Sequence, residues 1–319
     1  MSDIAYLNGE FLPLDQARVS VLDRGFIFGD GVYEVIPVYS RRPFRLPEHL
    51  QRLQRSLDAV RLGNPMTDAE WTRLTHDLVA RHGAEDQSVY LQVTRGVAKR
   101  DHAFPKEGKP TVFMMSSPLV TPERELIDKG VPCITATDFR WLKCDVKSVS
   151  LLANCLLRQS AADAGAAEVI LFRDGCLTEA SASNVFVVRN GKLLAPPKNH
   201  LILPGITYDV VLELAAASGI TVELRAIPEH EVRSADELWV TSSSKEVLAV
   251  THGFLTVNAG SGMQGLRGEP SVLIPLHRVL EVWQGPVRVW RASPRRPALG
   301  SALAPRKRKA SGPSVVPKR

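Results

Sequence analysis

The sequence predicts an α+β fold in two parts, and three observations carry the prediction. Apolar runs flank hairpin-type turns such as Asn8-Gly9 and Asn190-Gly191, helical periodicity is confined to a few separate segments, and strands and helices do not alternate in regular βαβ units. With 319 residues, 44% of them hydrophobic, the chain is long enough to bury two cores.

Element by element, IAYLNGEFLP reads as a hairpin about Asn8-Gly9, and EVIPVYSRRPFRL as a second one about Ser40 to Arg42. EHLQRLQRSLDAV sets Leu50, Leu53, Leu57 and Val60 on one helical face and stops at Gly63; DAEWTRLTHDLVARHG predicts a second helix ending at Gly83. SVYLQVTRG and PTVFMMSS follow as strands. The proline-containing polar stretch SSPLVTPERE is expected to be a linker, which divides the chain into an N-terminal domain at 1–117, a linker at 118–125 and a second domain at 126–265.

In the second domain VPCITAT predicts a strand and SLLANCLLRQSAADAG a helix closed by Gly165. AEVILF and NVFVVR read as strands on either side of Asp174-Gly175, and NVFVVR is expected to pair with KLLAP through Asn190-Gly191. A helix from Ile206 to Ser218 stops at Gly219, and ITVELRAI and ADELWVTS close the domain as strands. Residues 266–319, rich in Pro, Ala and Arg, are expected to be disordered, with HRVLEVW as a candidate short helix.

The formal charge of +6 is misleading about partners. Ten Lys and Arg follow Glu281 with no acid among them; without those ten, 30 Lys and Arg face 34 Asp and Glu, and the body carries −4. A basic run such as PRKRK is a weak nucleic-acid signal, so no nucleic-acid partner is expected. No stretch of about 18 apolar residues occurs, which predicts no membrane span and a cytoplasmic protein. Cys133, Cys144, Cys155 and Cys176 form no CxxC pair and no metal spacing, so reduced, buried thiols and no metal site are expected.

Several residues can carry chemistry. Lys147, in WLKCDVKSVSLLANCLL, precedes an apolar helix; a lysine among apolar neighbours can lose part of its basicity and act as a nucleophile, although a solvated surface lysine is the commoner case. Glu179 in LTEASASNVF is a lone acid followed by the small residues Ala180 to Ser183, which leave room for a flat ring; alone it also fits an ordinary turn residue. LILPGITYDVVLEL runs a Pro-Gly turn into a helix whose first amides, Ile206 and Thr207, suit an anion, with Thr207 equally placed to be a plain cap. VTSSSKEV adds hydroxyls at Ser242 and Ser243, and Arg52 can offer a charged fork.

In this order GFIFGDGVYEV, the HLQR spacing, DVKSVSLLANCL, LTEASASNVF, LPGIT and VTSSSKEV resemble the fold-type IV aminotransferases that depend on pyridoxal 5'-phosphate (PLP), over residues 3 to 265. The resemblance implies a small N-terminal α/β domain, a larger domain with a barrel-like sheet, a Schiff base on Lys147 and Glu179 on the ring nitrogen. It also implies phosphate contacts from Arg52, Ile206, Thr207 and Ser243. Tyr208 departs from the pattern, since LPGIT is often followed by Arg. Arg100-x-His102 in TRGVAKRDHAFP, with Tyr33 and with Arg140 in FRWLKCDVKS, is similar to the D-amino acid branch, where the pair belongs to a carboxylate trap whose loop reaches into a neighbouring subunit and so implies a homodimer. The activity implied is transfer of an amino group from D-alanine to 2-oxoglutarate. The alternatives are a branched-chain L-amino acid aminotransferase, an aminodeoxychorismate lyase, and an inactive protein of this fold with a basic tail. Near Leu266 the resemblance stops abruptly, as an altered reading frame would make it.

Overall fold

A computed structural model describes residues 3–251, 255–256, 281–284 and 287–291. The first domain is built on an antiparallel sheet of β1 (Ile4–Leu7), β2 (Glu10–Pro13), β3 (Gly31–Tyr39), β4 (Arg42–Pro43), β5 (Gln87–Thr94) and β6 (Thr111–Pro118), in the order β2-β1-β6-β5-β3-β4. Both expected hairpins form, Ile4 pairing with Pro13 and Tyr39 with Arg42. Their turn residues Asn8, Ser40 and Arg41 have positive φ. The short helix α1 (Arg24–Phe28) lies between β2 and β3.

Helices α2 (Leu46–Ala59) and α3 (Asp68–Arg81) supply the apolar cover of this sheet. Their 3.6-residue periodicity aims Leu50, Leu53, Leu57, Trp71 and Leu78 at Ile36, Val89, Leu91 and Met114. Thr67 and Glu70 form a reciprocal capping box that sets the start of α3. The linker region is not all irregular: α4 (Arg124–Lys129) begins within it, a helix too short for its periodicity to stand out in the sequence.

The second domain holds two sheets rather than the one barrel-like sheet expected; among the described residues no barrel closes. One contains β7 (Cys133–Thr137), β8 (Glu168–Arg173), β9 (Cys176–Ala180) and β15 (Leu255–Thr256), ordered β15-β7-β8-β9. The other contains β10 (Asn184–Arg189), β11 (Lys192–Ala195), β12 (Val222–Leu224), β13 (Glu237–Ser242) and β14 (Glu246–Ala249), ordered β12-β11-β10-β13-β14. The chain passes from one sheet to the other at Ala180 to Ser183, where the Ala180 amide donates to the Ser183 carbonyl and strand pairing is interrupted.

Two parallel crossovers are absent from the sequence-based expectation. β7 and β8 are parallel and joined through α5 (Leu152–Asp163), and β11 and β12 are parallel and joined through α6 (Ile206–Ala217). Leu157 and Ala161 of α5 pack on Ile134, Val169 and Leu171; Val211 and Ala215 of α6 pack on Phe186 and Leu193. A short α7 (Glu229–Arg233) precedes β13. The crossovers bring the loop after β7 and the start of α6 to strand ends, where open α/β sheets place their ligands.

Within the tail expected to be disordered, β16 (Glu281–Gln284) and β17 (Val287–Arg291) pair as an antiparallel hairpin, so the helix expected over HRVLEVW is strand at Glu281 to Trp283. The remainder of 266–319 lies outside the described residues. Among those described, no helix is long and apolar enough to cross a membrane. Cys133 and Cys144 are buried as expected, but Cys155 is exposed and Cys176 half-buried.

Candidate active site

A cavity of about 650 Å³ opens between the two domains, lined by Tyr33, Arg52, Lys147, Glu179, Ile206, Thr207 and Ser243. These seven residues, all singled out in the sequence, therefore meet in one place. Arg100 and His102 do not line it; both are exposed, on the loop between β5 and β6.

Lys147 lies in the loop between β7 and α5, ahead of the apolar helix as expected. That loop is fixed against the first domain: the Lys147 amide donates to Ser56 Oγ at 3.2 Å, the Tyr33 amide donates to the Lys147 carbonyl at 3.0 Å, and Ser148 bridges to Val32. Lys147 Nζ sits 4.3 Å from the centre of the Tyr33 ring. Burial, reinforced by the neighbouring Arg52 charge, pulls its ammonium down to about 8. Tyr33 is pushed up to about 12, first by burial and then by Glu34.

Glu179 lies inside strand β9, which the Asp174-Gly175 hairpin turns back against β8; both turn residues have positive φ. Glu179 is 5% exposed. Asn184 Nδ2 and the Leu203 amide each donate to Oε2 at 3.0 Å, and Arg140 Nη1 donates to Oε1. Arg140 is gripped from behind by Asp138, which accepts from its Nε and Nη2 at 2.9 Å. Burial pushes the Glu179 carboxyl up to about 7, with Arg140 and the Leu203 amide pulling the other way. In the sequence Arg140 stands within FRWLKCDVKS and Asn184 within LTEASASNVF, but nothing local assigns either to Glu179; Asn184, directly after the small-residue run, is the available signal.

The other end of the cavity has the chemistry that suits an anion. Gly205 caps α6 with no side-chain hydrogen bond, leaving the first-turn amides at Ile206 and Thr207 available with the positive end of the helix dipole. A Cβ at Gly205 would meet Asn184 Oδ1 at 2.1 Å, so only glycine lets the helix approach this closely. Arg52 gives Nε and Nη2 to the buried Glu34, both at 2.8 Å, and Nη1 to the Pro204 carbonyl at 3.0 Å. Three of its five N–H groups are thereby used and two remain. Burial alone would raise the Glu34 carboxyl, but Arg52 and His49 hold it well below the ordinary range.

The run Ala180 to Ser183 lines the cavity and is braced from outside by buried Glu168, which accepts from the hydroxyls of Ser181 and Ser183 and from Lys245 Nζ at 3.1 Å. Thr241 also faces the cavity, with its buried Oγ1 unpaired. Tyr208 is turned away: it is fully buried, stacks on Phe186 at 4.8 Å and donates to the Pro196 carbonyl at 2.8 Å. Its place is in the core, and it does not stand in for the arginine common at that position.

This lining fits PLP on its own evidence. Two spare Arg52 donors, uncapped helix amides, Ser243 and the orphaned Thr241 hydroxyl suit a phosphate; the small residues leave space for a ring; a softened amine and a carboxylate of shifted affinity suit its aldehyde and its nitrogen.

Comparison with known proteins agrees with the geometry. The pattern described as Amino-transferase class IV matches residues 31–252. A D-alanine aminotransferase of Bacillus licheniformis is 41% identical over 244 residues, covering 76% of this chain and 86% of its own length. A branched-chain aminotransferase from Thermoproteus uzoniensis, solved with norvaline, has a TM-score of 0.72 and 25% identity over 79% of this chain and 87% of its own. A T.th. branched-chain amino acid aminotransferase, complexed with N-(5'-phosphopyridoxyl)-L-glutamate, has a TM-score of 0.71 and 25% identity, covering 79% of this chain and 86% of its own.

Proposed function

We propose a reaction from this premise: the chain belongs to the Amino-transferase class IV family, and it is an aminotransferase whose cofactor is pyridoxal 5'-phosphate. The reaction is transfer of the amino group of D-alanine, or a related D-amino acid, to 2-oxoglutarate, giving pyruvate and D-glutamate. The observation that carries it is the meeting of Lys147 and Glu179 in one cavity with an anion-binding end.

When bound, PLP supplies an aldehyde that condenses with amines and a ring that takes up the electron pair left when a Cα–H bond breaks. Everything else falls to the chain. Lys147 Nζ would hold the cofactor at its aldehyde carbon and, once freed by the substrate amine, would be the amine that takes the proton from the substrate Cα. An affinity near 8 leaves a useful fraction of that amine neutral close to neutral pH. Glu179 holds a proton at the ring nitrogen, with Arg140, Asn184 and the Leu203 amide fixing its carboxylate in one orientation. Arg52, Ile206, Thr207 and Ser243 anchor the phosphate, so the ring keeps its place relative to Lys147.

Arg100 and His102, with Tyr33, are the proposed carboxylate trap. Arg can take a carboxylate bidentately and His can donate beside it. Both lie outside their own chain's cavity, and exposed apolar side chains flank the loop, Val97 and Phe104, and occur near the cavity mouth, Trp141, Leu142, Leu152 and Leu156. Those features support a homodimer in which each loop completes the other chain's site. Holding the α-carboxylate there and Lys147 on one face of the ring admits the Cα hydrogen of one enantiomer.

The D-selective reading rests on Arg100-x-His102 and on the 41% identity to a D-alanine aminotransferase, against 25% to the branched-chain structures. Its test is pyruvate formation from D- and from L-alanine with 2-oxoglutarate. Turnover of D-alanine alone is expected; equal rates on both would overturn it.

A further inference from the structure

We propose that Arg24 is a positioning residue for carboxylate recognition, holding the loop segment Asp101–Ala103 so that Arg100 and His102 are presented together; the inference rests on the trap reading above. Arg24 is 3% exposed and does not line the cavity. Its Nη1 donates to the carbonyls of Asp101 at 2.6 Å and Ala103 at 3.3 Å, and its Nη2 to that of His102 at 3.4 Å. One guanidinium thus spans three successive carbonyls centred on His102. The segment lies outside the sheet, since β5 ends at Thr94 and β6 begins at Thr111.

The clamp is itself anchored. Arg24 Nε donates to Asp30 Oδ2 at 2.8 Å, and Arg95 holds the same carboxylate with Nε at 2.8 Å and Nη2 at 3.0 Å. Arg95 also donates to the carbonyls of Val60 and Arg61, tying the arrangement to the end of α2. Asp23, just before Arg24, accepts from the Gly25 amide and from Thr94 and Thr111, the residues at the two ends of the loop. At the loop base a Cβ on Gly96, with φ of +82°, would strike the Lys109 carbonyl at 2.0 Å, so the two strands of chain leave the sheet in close contact.

Phe28, at the end of α1, supplies the common surface. The Arg24 guanidinium lies 4.8 Å from its ring centre, that of Arg100 at 5.5 Å and the His102 ring at 5.4 Å. Both proposed recognition side chains therefore rest on the helix that carries their clamp. A buried arginine bonding carbonyls can serve stability alone; what distinguishes this one is that its three targets are His102 and its two neighbours. Ordering a loop costs chain entropy, and charged hydrogen bonds to its backbone offset that cost where the side chains must be held.

The test uses the PLP-loaded enzyme and its half-reaction with D-alanine. Arg24→Lys keeps the charge beside Asp30 but replaces a fork by a point donor. The D-alanine concentration for half-maximal rate should rise about tenfold, as expected for losing charged hydrogen bonds, with the limiting rate and cofactor absorbance nearly unchanged. Trypsin should cleave faster after Lys99 and Arg100. Adding Arg24→Lys to Arg100→Ala should cause a smaller rise than Arg24→Lys causes alone, because only His102 is then left for the loop to present. Phe28→Leu should raise the half-saturating concentration in the same direction, by less, and serves if Arg24→Lys folds poorly.

An unchanged half-saturating concentration in Arg24→Lys, or independent, multiplying effects in the double variant, would overturn the positioning role while leaving the trap intact. If Arg100→Ala itself leaves that concentration unchanged, the trap reading fails, and the route proposed for Arg24 fails with it.

Discussion

Glu179 and Arg100 are both assigned to one reaction, yet they are built in opposite ways. Glu179 sits inside a strand, 5% exposed, with three donors on its two oxygens and a second acid, Asp138, behind its arginine. Arg100 is exposed on a loop, resting on one phenylalanine ring. Cofactor-facing groups need a fixed orientation and a shifted proton affinity, which burial and paired charges provide. A carboxylate-recognising group needs reach, and the loop proposed for that role is bonded from beneath through its backbone carbonyls. On the proposed assignment, substrate choice and cofactor chemistry depend on structurally separate parts, and their mutational signatures should separate as well.

The largest effect should come from the cofactor side. Lys147→Ala removes both the anchor and the proton acceptor, so turnover should fall by at least about 10⁴-fold, with loss of covalently attached cofactor seen in the absorption spectrum. Sustained turnover by the purified variant would remove Lys147 from its role. Glu179→Gln keeps a polar group of the same size but cannot hold the ring nitrogen's proton as a carboxylate does. A fall in kcat of about 10²- to 10³-fold is expected while cofactor stays bound; a change confined to KM would place Glu179 with the substrate-binding group instead.

On the loop side the pattern should invert. Arg100→Ala should raise KM for D-alanine by about 10- to 100-fold, the range for a lost charged hydrogen bond, with cofactor spectrum and melting temperature unaltered. An unchanged KM would erase the distinction between the two regions.

The smallest effect is a pH dependence of stability in the cofactor-free protein. Glu179 has its folded affinity raised from 4.5 to about 7, so its contribution is fully present below about pH 4.5 and is lost as the pH rises through about 7. The term amounts to about 1 to 3 kcal/mol. Denaturant titrations of Glu179→Gln and the parent between pH 4.5 and 7 should show the parent alone losing that increment; parallel curves would contradict the shift.

How much of this is legible in the sequence follows from how local each signal is. The two N-terminal hairpins, α2, α3 and α6 can be read because turn residues and apolar spacing are contained within short stretches. Strand β9 does not stand out as a strand, because LTEA carries no alternation that separates it from a turn. The two crossovers escape the reading because β7 and β8, and β11 and β12, pair through contacts distant in sequence, to which local periodicity is blind. Seven site residues emerge as pieces of ordered motifs. The partners that set their properties, Arg140 and Asp138 behind Glu179 and Glu34 on Arg52, depend on bonds made only once the strands are paired. Arg24 directly precedes the motif GFIFGDGVYEV, but nothing in its spacing points to a loop 77 residues away.

The most direct test is a single half-reaction. The purified enzyme is loaded with PLP, given D-alanine or L-leucine separately with no amino acceptor, and its absorption is followed as the aldehyde form of the cofactor is replaced by the amine form. Complete conversion by D-alanine with none by L-leucine is the predicted result. Conversion by L-leucine and not by D-alanine would contradict the account and assign the chain to branched-chain substrates.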